Sequence, residues 1–280
     1  MSLSINLATE FAPLAEKKFT LDSVVMGKAK GKYSWDGVRT VKAIIPTTQA
    51  LNNYDATATA NRFGTPAELE DTVAEYIIQQ NKSFSIVIDK ENNTSQKMVK
   101  AAGEMMRYEW EDVVIPMFDA YCLGAWCTGA GQYHVNASLT KSNIVGEIAD
   151  CVAALVNEKI PTNGLIAWVG ATNVSKLLQS PEFVNIDTLG TKATGKGVLG
   201  EVHGVKIIRV PDSYLPAGVN FLMAHPRALL APQKIKTLRI LTDAQGFDGS
   251  VLEGRLMFDA FVVKAKEKGV IQSVTTAPSV

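Results

Sequence analysis

Cysteine is scarce in this chain, three in 280 residues, an odd number without regular spacing. Such usage excludes a disulfide framework and points to a reducing compartment. Histidine is as rare: His134, His203 and His225 stand far apart, and none has a metal-ligand companion at i+3 or i+4. Net charge is missing too, because 28 Lys plus Arg balance 28 Asp plus Glu. That balance argues against a protein whose main task is gripping nucleic acid electrostatically. No apolar run approaches a membrane span, and no basic segment followed by an apolar core opens the chain, so no signal peptide is expected. No Gly-x-Ser-x-Gly elbow occurs. Glu109, Glu111 and Asp112 crowd together, but neighbouring carboxylates on a helix point apart. The sequence therefore nominates no catalytic, cofactor-binding or metal-ligating residue. It describes a soluble intracellular protein long enough for a sizeable core in two lobes.

One chemical motif is half present. Gly190-Thr-Lys-Ala-Thr-Gly195-Lys196 matches the first seven positions of a phosphate-binding loop, but Gly197 stands where Ser or Thr should hold magnesium. Such a loop also needs a strand before it and a helix after it. Pro181 to Thr188 is not a convincing buried strand, and Gly197-Val-Leu-Gly200 does not start a helix. A surface loop is the simpler reading.

What the sequence has in quantity is a helix. From Ser95 to Cys127, apolar residues recur at Val99, Ala102, Met106, Trp110, Val113, Met117 and Tyr121, steps of three and four that keep to one face. Lys97, Lys100, Glu104, Arg107 and Glu111 form a charged stripe opposite, with Glu104–Arg107 and Arg107–Glu111 as surface pairs. Asn93 and Thr94 are candidate caps. A helix of that length spans roughly 50 Å, more than a compact domain needs. Pro116 either bends it or marks the joint between two shorter helices.

Around this strut the chain changes character. Residues 1 to 32 read as an arm or a solvated tail, in which Lys28, Lys30 and Lys32 would face one way if extended, toward phosphate or a neighbour's carboxylates. Val38 to Ile45 and Val73 to Ile78 are β-rich runs, and Phe84, Ile86 and Ile88 alternate with polar or smaller residues as a half-buried strand. About two dozen mostly polar or small residues separate the first two runs, an insertion that suits a projecting two-stranded loop touching another chain. Thr140 or Ser142 is expected to cap a second helix faced by Ile144, Ile148, Cys151 or Val152, and Leu155. Leu165 to Val169 reads as a buried strand, Asn173 to Gln179 as a short helix, and Val198 to Val202 with Val205 to Val210 as a hairpin turning at His203-Gly204. Asn220 to Ala224 is another buried strand, so residues 140 to 231 form an α/β lobe. Leu252 to Val274 is a β ribbon whose Leu256, Phe258, Ala260 and Val262 face one way, and the helix stripe is the expected cover. Trp110, if buried against that ribbon, would cost roughly 3–5 kcal/mol on truncation to Ala.

Order and motifs together resemble the major capsid proteins of tailed bacteriophages, the Hong Kong 97-like fold. The stretches that carry the likeness are Val41 to Tyr54 (VKAIIPTTQALNNY), Lys82 to Asp89 (KSFSIVID) and Glu109 to Tyr121 (EWEDVVIPMFDAY). Within the last, Val114 to Asp119 resembles a Val-x-Pro-x-x-Asp stretch of the family's spine helix. Gly204 to Pro211 and Phe221 to Pro232 resemble a strand and turn near the end of the axial lobe. The resemblance implies an α+β chain. Its parts would be an N-terminal arm (1–32), an extended loop with flanking strands (33–91), a peripheral domain with the spine helix and β ribbon (92–139 and 232–280), and an axial domain (140–231).

The function so implied has no active site and no cofactor. Subunits would assemble as hexamers and pentamers into an icosahedral shell around double-stranded DNA, in the virion and in the host cytoplasm beforehand. The implied partners are other copies of the chain, a portal, packaged DNA contacted without sequence preference, a decoration protein and either a separate scaffolding protein or none, with no membrane. Two rivals stand beside this reading. An encapsulin-like compartment uses the same fold to hold cargo enzymes, and a nucleotide-binding α/β enzyme would rest on Gly190 to Lys196 alone.

Overall fold

The computed structural model describes residues 22–277, apart from 38, 67, 69, 96–100, 181–197, 243 and 247. Strands β1 (Ser34–Asp36), β2 (Thr40–Pro46) and β3 (Asp71–Ile77) form an antiparallel ribbon whose β2–β3 register runs from Thr40 opposite Ile77 to Pro46 opposite Asp71. The expected long excursion is the stretch 47–70 between them. Strand β4 (Gln80–Asp89) follows, and a six-residue α1 (Lys90–Ser95) closes it.

The spine then begins at Ala102, seven residues later than periodicity alone suggests. Ala101 is extended (ψ 124°), Asn93 and Thr94 lie inside α1 rather than at a cap, and Val99 lies outside the described residues. From Ala102 the helix runs unbroken to Thr128 as α2 (Ala102–Glu109), a π turn (Trp110–Val114) and α3 (Ile115–Thr128). At about 1.5 Å per residue that is roughly 40 Å. The π turn resolves the Pro116 question. Ile115 N–H bonds back to the Trp110 carbonyl, five residues away, so the ladder is already widened where proline lacks its donor and crowds Asp112. It also resets the apolar phase. Four-residue steps drift about 40° on an ordinary helix, and the wider turn winds that drift back. The inward line becomes Met106, Trp110, Val114, Phe118, Cys122 and Trp126. Val113, expected on the stripe, points outward at 49 % exposure while Val114 is buried at 7 %.

Strand β5 (Gln132–Val135), helix α4 (Ile144–Asn157), β6 (Ile166–Gly170), α5 (Ala171–Leu178), the hairpin β7 (Val198–Val202) and β8 (Val205–Val210), and β9 (Val219–Ala224) build the second lobe. His203 and Gly204 both take positive φ (49° and 77°), the turn that matches strand twist. The N-cap of α4 is Asn143, not Thr140 or Ser142; those two hydroxyls bond each other at 3.0 Å, and Asn143 Oδ1 accepts from the Thr140 N–H.

After β10 (Leu229–Leu230) the chain enters β11 (Gln233–Leu241) and β12 (Gly249–Phe258), which sheets with β4 in the order β11-β12-β4. The returning ribbon then divides. Short β13 (Phe261–Val262) pairs with β10, and a 3-10 turn (Lys264–Gly269) sends β14 (Val270–Val274) into the other lobe. There β14 lies between β5 and β9 in a six-stranded sheet ordered β5-β14-β9-β6-β8-β7.

Alternation along the central strands divides the core cleanly. Ala167, Val169, Ile207, Phe221 and Met223 face α4 and α5, while Ile166, Trp168, Ile208, Leu222 and Ala224 face α3. Helix α3 is apolar nearly all round because it is covered twice. It meets Trp168 of the six-stranded sheet through Trp126 (ring centres 5.5 Å) and Phe258 of β12 through Phe118 (5.2 Å). Leu256, Phe258, Ala260 and Val262 all lie in that shared core, so the helix does cover the ribbon. Gly254 is required where β12 passes β4, since a Cβ there would stand 2.2 Å from the Phe84 ring.

Phe258→Ala should therefore cost about 3–5 kcal/mol, because its ring is fully buried. Trp110 is only partly buried beside Phe84 and Leu256, and Trp110→Ala should cost less, about 1–2 kcal/mol. Urea unfolding of both variants checks the order.

Candidate assembly surfaces

The β2–β3 ribbon packs one face on the body through Val41, Ala43 and Tyr76 and leaves the other open. On the open face Ile44 (58 % exposed), Val73 (50 %) and Ile77 (63 %) are β-branched residues that favour the strand, with Ile44 and Val73 opposite each other in the ladder. Beyond the ladder, the tip is organised by its own bonds. Thr47 N–H and hydroxyl both donate to the Glu70 carbonyl, Asp55 N–H donates to Arg62 O (3.0 Å), and Asp55 Oδ1 accepts from Thr57 N–H and Oγ1. The bonds from Thr57 hold the Asp55 carboxyl below its ordinary range. Tyr54 and Phe63 meet edge to face at 5.1 Å. With that frame made, Leu51 is wholly exposed and Phe63 83 % exposed. A turn that spends its polar groups on itself and turns large apolar side chains outward is built to meet another surface.

The root of the ribbon is pinned to the body by a buried carboxylate. Asp259 (3 % exposed) accepts from Gln79 N–H, the Tyr121 hydroxyl and Ala260 N–H, each at 2.8 Å, joining ribbon, spine and β12–β13 at one point. Burial, and then the facing Asp259, push the Tyr121 hydroxyl up to about 12, so it stays a donor. Tyr76 of β3 stacks on Phe261 at 4.9 Å and its hydroxyl accepts from Lys264 N–H at 3.0 Å. Val41, Ile78 and Met257 close a small apolar cluster beneath.

The arm has its own anchor. Asp119, on the buried side of α3, accepts from the Ser23 hydroxyl (2.6 Å) and Val24 N–H (2.8 Å). Burial raises its carboxyl above the ordinary range, although both bonds oppose the shift. Trp168 Nε1 donates to Val24 O at 3.1 Å, Val25 is fully buried, and Lys30 and Gly31 N–H groups bond to Pro226 and Leu229 carbonyls. Residues 22–31 are thus laid along the body, and residues 1–21 lie outside the described region.

The chemical candidates from the sequence sort as follows. Gly190 to Lys196 lies outside the described residues. His203 occupies the β7–β8 turn, and His225 Nδ1 accepts from Arg227 N–H at 3.3 Å. Arg107 reaches Glu111 at 3.4 Å, and Glu104 makes no ion pair among the described residues. His134 does meet partners that spacing could not reveal: with Glu147 and Cys151 its ligand-type atoms lie within 4.8 Å of one another. That trio could in principle hold a metal, but the carboxylate is already engaged. Glu147 accepts from Ser273 Oγ (2.7 Å) and Asn136 Nδ2 (2.9 Å) and lies 2.8 Å from His134 Nδ1. Burial pushes the Cys151 thiol up to about 12, with Glu147 and Asp150 adding to it, so it is not a thiolate. The group ties β5, α4 and β14 together, and only the fold brings it into one place.

Burial raises the Glu147 carboxyl, but bonds from Asn136, Ser273 and His134 outweigh it and hold the group below its ordinary 4.5. Its contribution is then present above that value and lost as pH falls through the lower folded one. Glu147→Gln should destabilise the chain by about 1–3 kcal/mol at neutral pH. The two stability curves should converge as pH falls below the ordinary carboxylate range, through the lowered folded value of Glu147. Melting midpoints against pH check this, and parallel curves would deny it.

Neither a family model nor a curated protein sequence matches the chain. Solved structures do. The capsid structure of cyanophage P-SCSP1u is similar with a TM-score of 0.74 at 13 % identity, covering 98 % of this chain and 94 % of that one. The asymmetric unit of the bacteriophage PhiM1 mature capsid gives 0.70 at 14 %, covering 97 % and 93 %. A structure from Mycobacterium phage Che8 gives 0.68 at 16 %, covering 99 % and 100 %. Identity this low fits a likeness carried by volume and pattern in the core rather than by individual residues. The chain has the Hong Kong 97-like fold of phage capsid structures, over nearly its whole length.

Proposed function

We propose that this chain is the major capsid protein of a tailed phage, a structural subunit without catalytic activity that assembles with copies of itself into a shell. The observation that carries the reading is the pairing of that fold with a ribbon whose tip, Leu51 to Phe63, exposes large apolar side chains while its root is pinned. A ribbon from one subunit lying on the body of the next is a head-to-tail contact, which closes into rings or continues as a lattice. Each contact need only be modest, because several neighbours hold every subunit at once.

In this reading the six-stranded sheet, with β5 and β14 added to residues 140–231, is the axial lobe. The spine with the β11-β12-β4 sheet is the peripheral lobe. Rings are hexamers and pentamers, the particle encloses double-stranded DNA, and assembly takes place in the host cytoplasm with a separate scaffolding protein and a portal. A decoration protein on the outer face belongs to the same proposal.

Deleting Gln49 to Pro66 should leave a folded subunit, since the tip bonds mainly to itself, and abolish particles. Negative-stain microscopy and sedimentation of the purified protein check both halves. Normal shells from the deletion would sink the ribbon's role. Shells of the intact chain filled with cargo protein rather than nucleic acid would favour a compartment instead.

A further inference from the structure

A second surface beside the ribbon carries charge that the fold leaves unanswered. Lys30 and Lys32 of the arm, Arg227 of the turn before β10 and Lys266 of the 3-10 turn converge on a cleft of about 350 Å³ whose apolar lining includes Ala43, Ile45 and Val263. No carboxylate lines it. None of the four cations makes an ion pair among the described residues. Three separate segments of chain bring like charges together there, which costs free energy unless an anion joins them. The neighbouring His225 senses the field: burial lowers it below its ordinary value, and Arg227 and Lys266 lower it further.

The matching charge lies on the same ribbon. Glu68, Glu70 and Asp71 are exposed, and none is in an ion pair among the described residues. The ladder holds Asp71 opposite Pro46, and Thr47 is bonded to the Glu70 carbonyl. Glu70 and Asp71 therefore sit past the Ile45 end of the cleft on the two-stranded frame, and neither lines it. We infer that the cleft of Lys30, Lys32, Arg227 and Lys266 receives Glu70 and Asp71 of a second copy of this chain. The apolar lining favours a peptide over a nucleic-acid backbone, because Ala43, Ile45 and Val263 offer phosphates nothing while the acids run beside exposed Val73. Opposite charges placed this way set the register of a head-to-tail contact and reject wrong pairings. The inference rests on the shell reading and adds which surfaces meet.

Charge reversal tests it on the full chain. K30E/K32E and E70K/D71K should each lower particle yield by about tenfold or more while melting like the parent. The fourfold variant carrying both reversals should regain most of that yield, because its cleft and acid segment are again opposite in sign. Normal particles from either double variant, or no recovery in the fourfold one, overturn the inference. So does a K30E/K32E chain that assembles normally but no longer retains a duplex oligonucleotide, which assigns the cleft to nucleic acid. If reversal unfolds the chain, K30Q/K32Q serves instead. Its yield should depend less on salt between about 0.05 and 0.5 M than the parent's, and an unchanged dependence overturns the inference. Particles from the parent chain test the shell reading separately, and only the variants bear on the cleft.

Discussion

Helix α3 cannot stand in water. Phe118, Cys122, Leu123, Trp126 and Cys127 span about half of its circumference and are all buried. It is stable only while one side packs on Phe258 and the other on Trp168, so neither sheet can part from it without exposing aromatic surface worth several kcal/mol. The two lobes are thereby made one body. Everything that extends from the body inherits its stiffness from this double contact.

The extensions are fastened by buried carboxylates rather than by more apolar surface. Asp259 gathers three donors at the ribbon root, and Asp119 gathers two at the arm. A carboxylate fixes direction as well as position, since each oxygen accepts along its own lone pairs. An apolar root alone would let a narrow ribbon swing. Because an unpaired buried carboxylate costs so much, each anchor is all-or-none: the ribbon leaves the body at one angle, or the local fold opens.

Most of the architecture was legible in local pattern. The β-branched runs gave β2, β3 and β4, the short apolar run gave β6, and His203-Gly204 gave its hairpin. Three features were not, for distinct physical reasons. The π turn at Trp110–Val114 alters the helical period itself, so counting in threes and fours put Val113 on the apolar stripe where the fold buries Val114 instead. The departure of β14 from the ribbon depends on a pairing with β9 and β5 far away in sequence, and strand patterns do not name their partners. The convergence of Arg227 and Lys266 with Lys30 and Lys32 is likewise a product of tertiary folding, although the arm's alternating lysines were visible as a stripe in search of an anion.

The apolar tip of the ribbon has a thermal consequence. Leu51 and Phe63 keep an organised water shell until a neighbour covers them. Release of that water is an entropic drive near room temperature, with a large negative heat capacity, and it fades on cooling. A lattice closed through such tips, as proposed, would be held less tightly in the cold, while the inferred charge pairing beside it would change little. In the proposed shell the subunit would thus carry two kinds of adhesive, one tuned by temperature and the other by ionic strength.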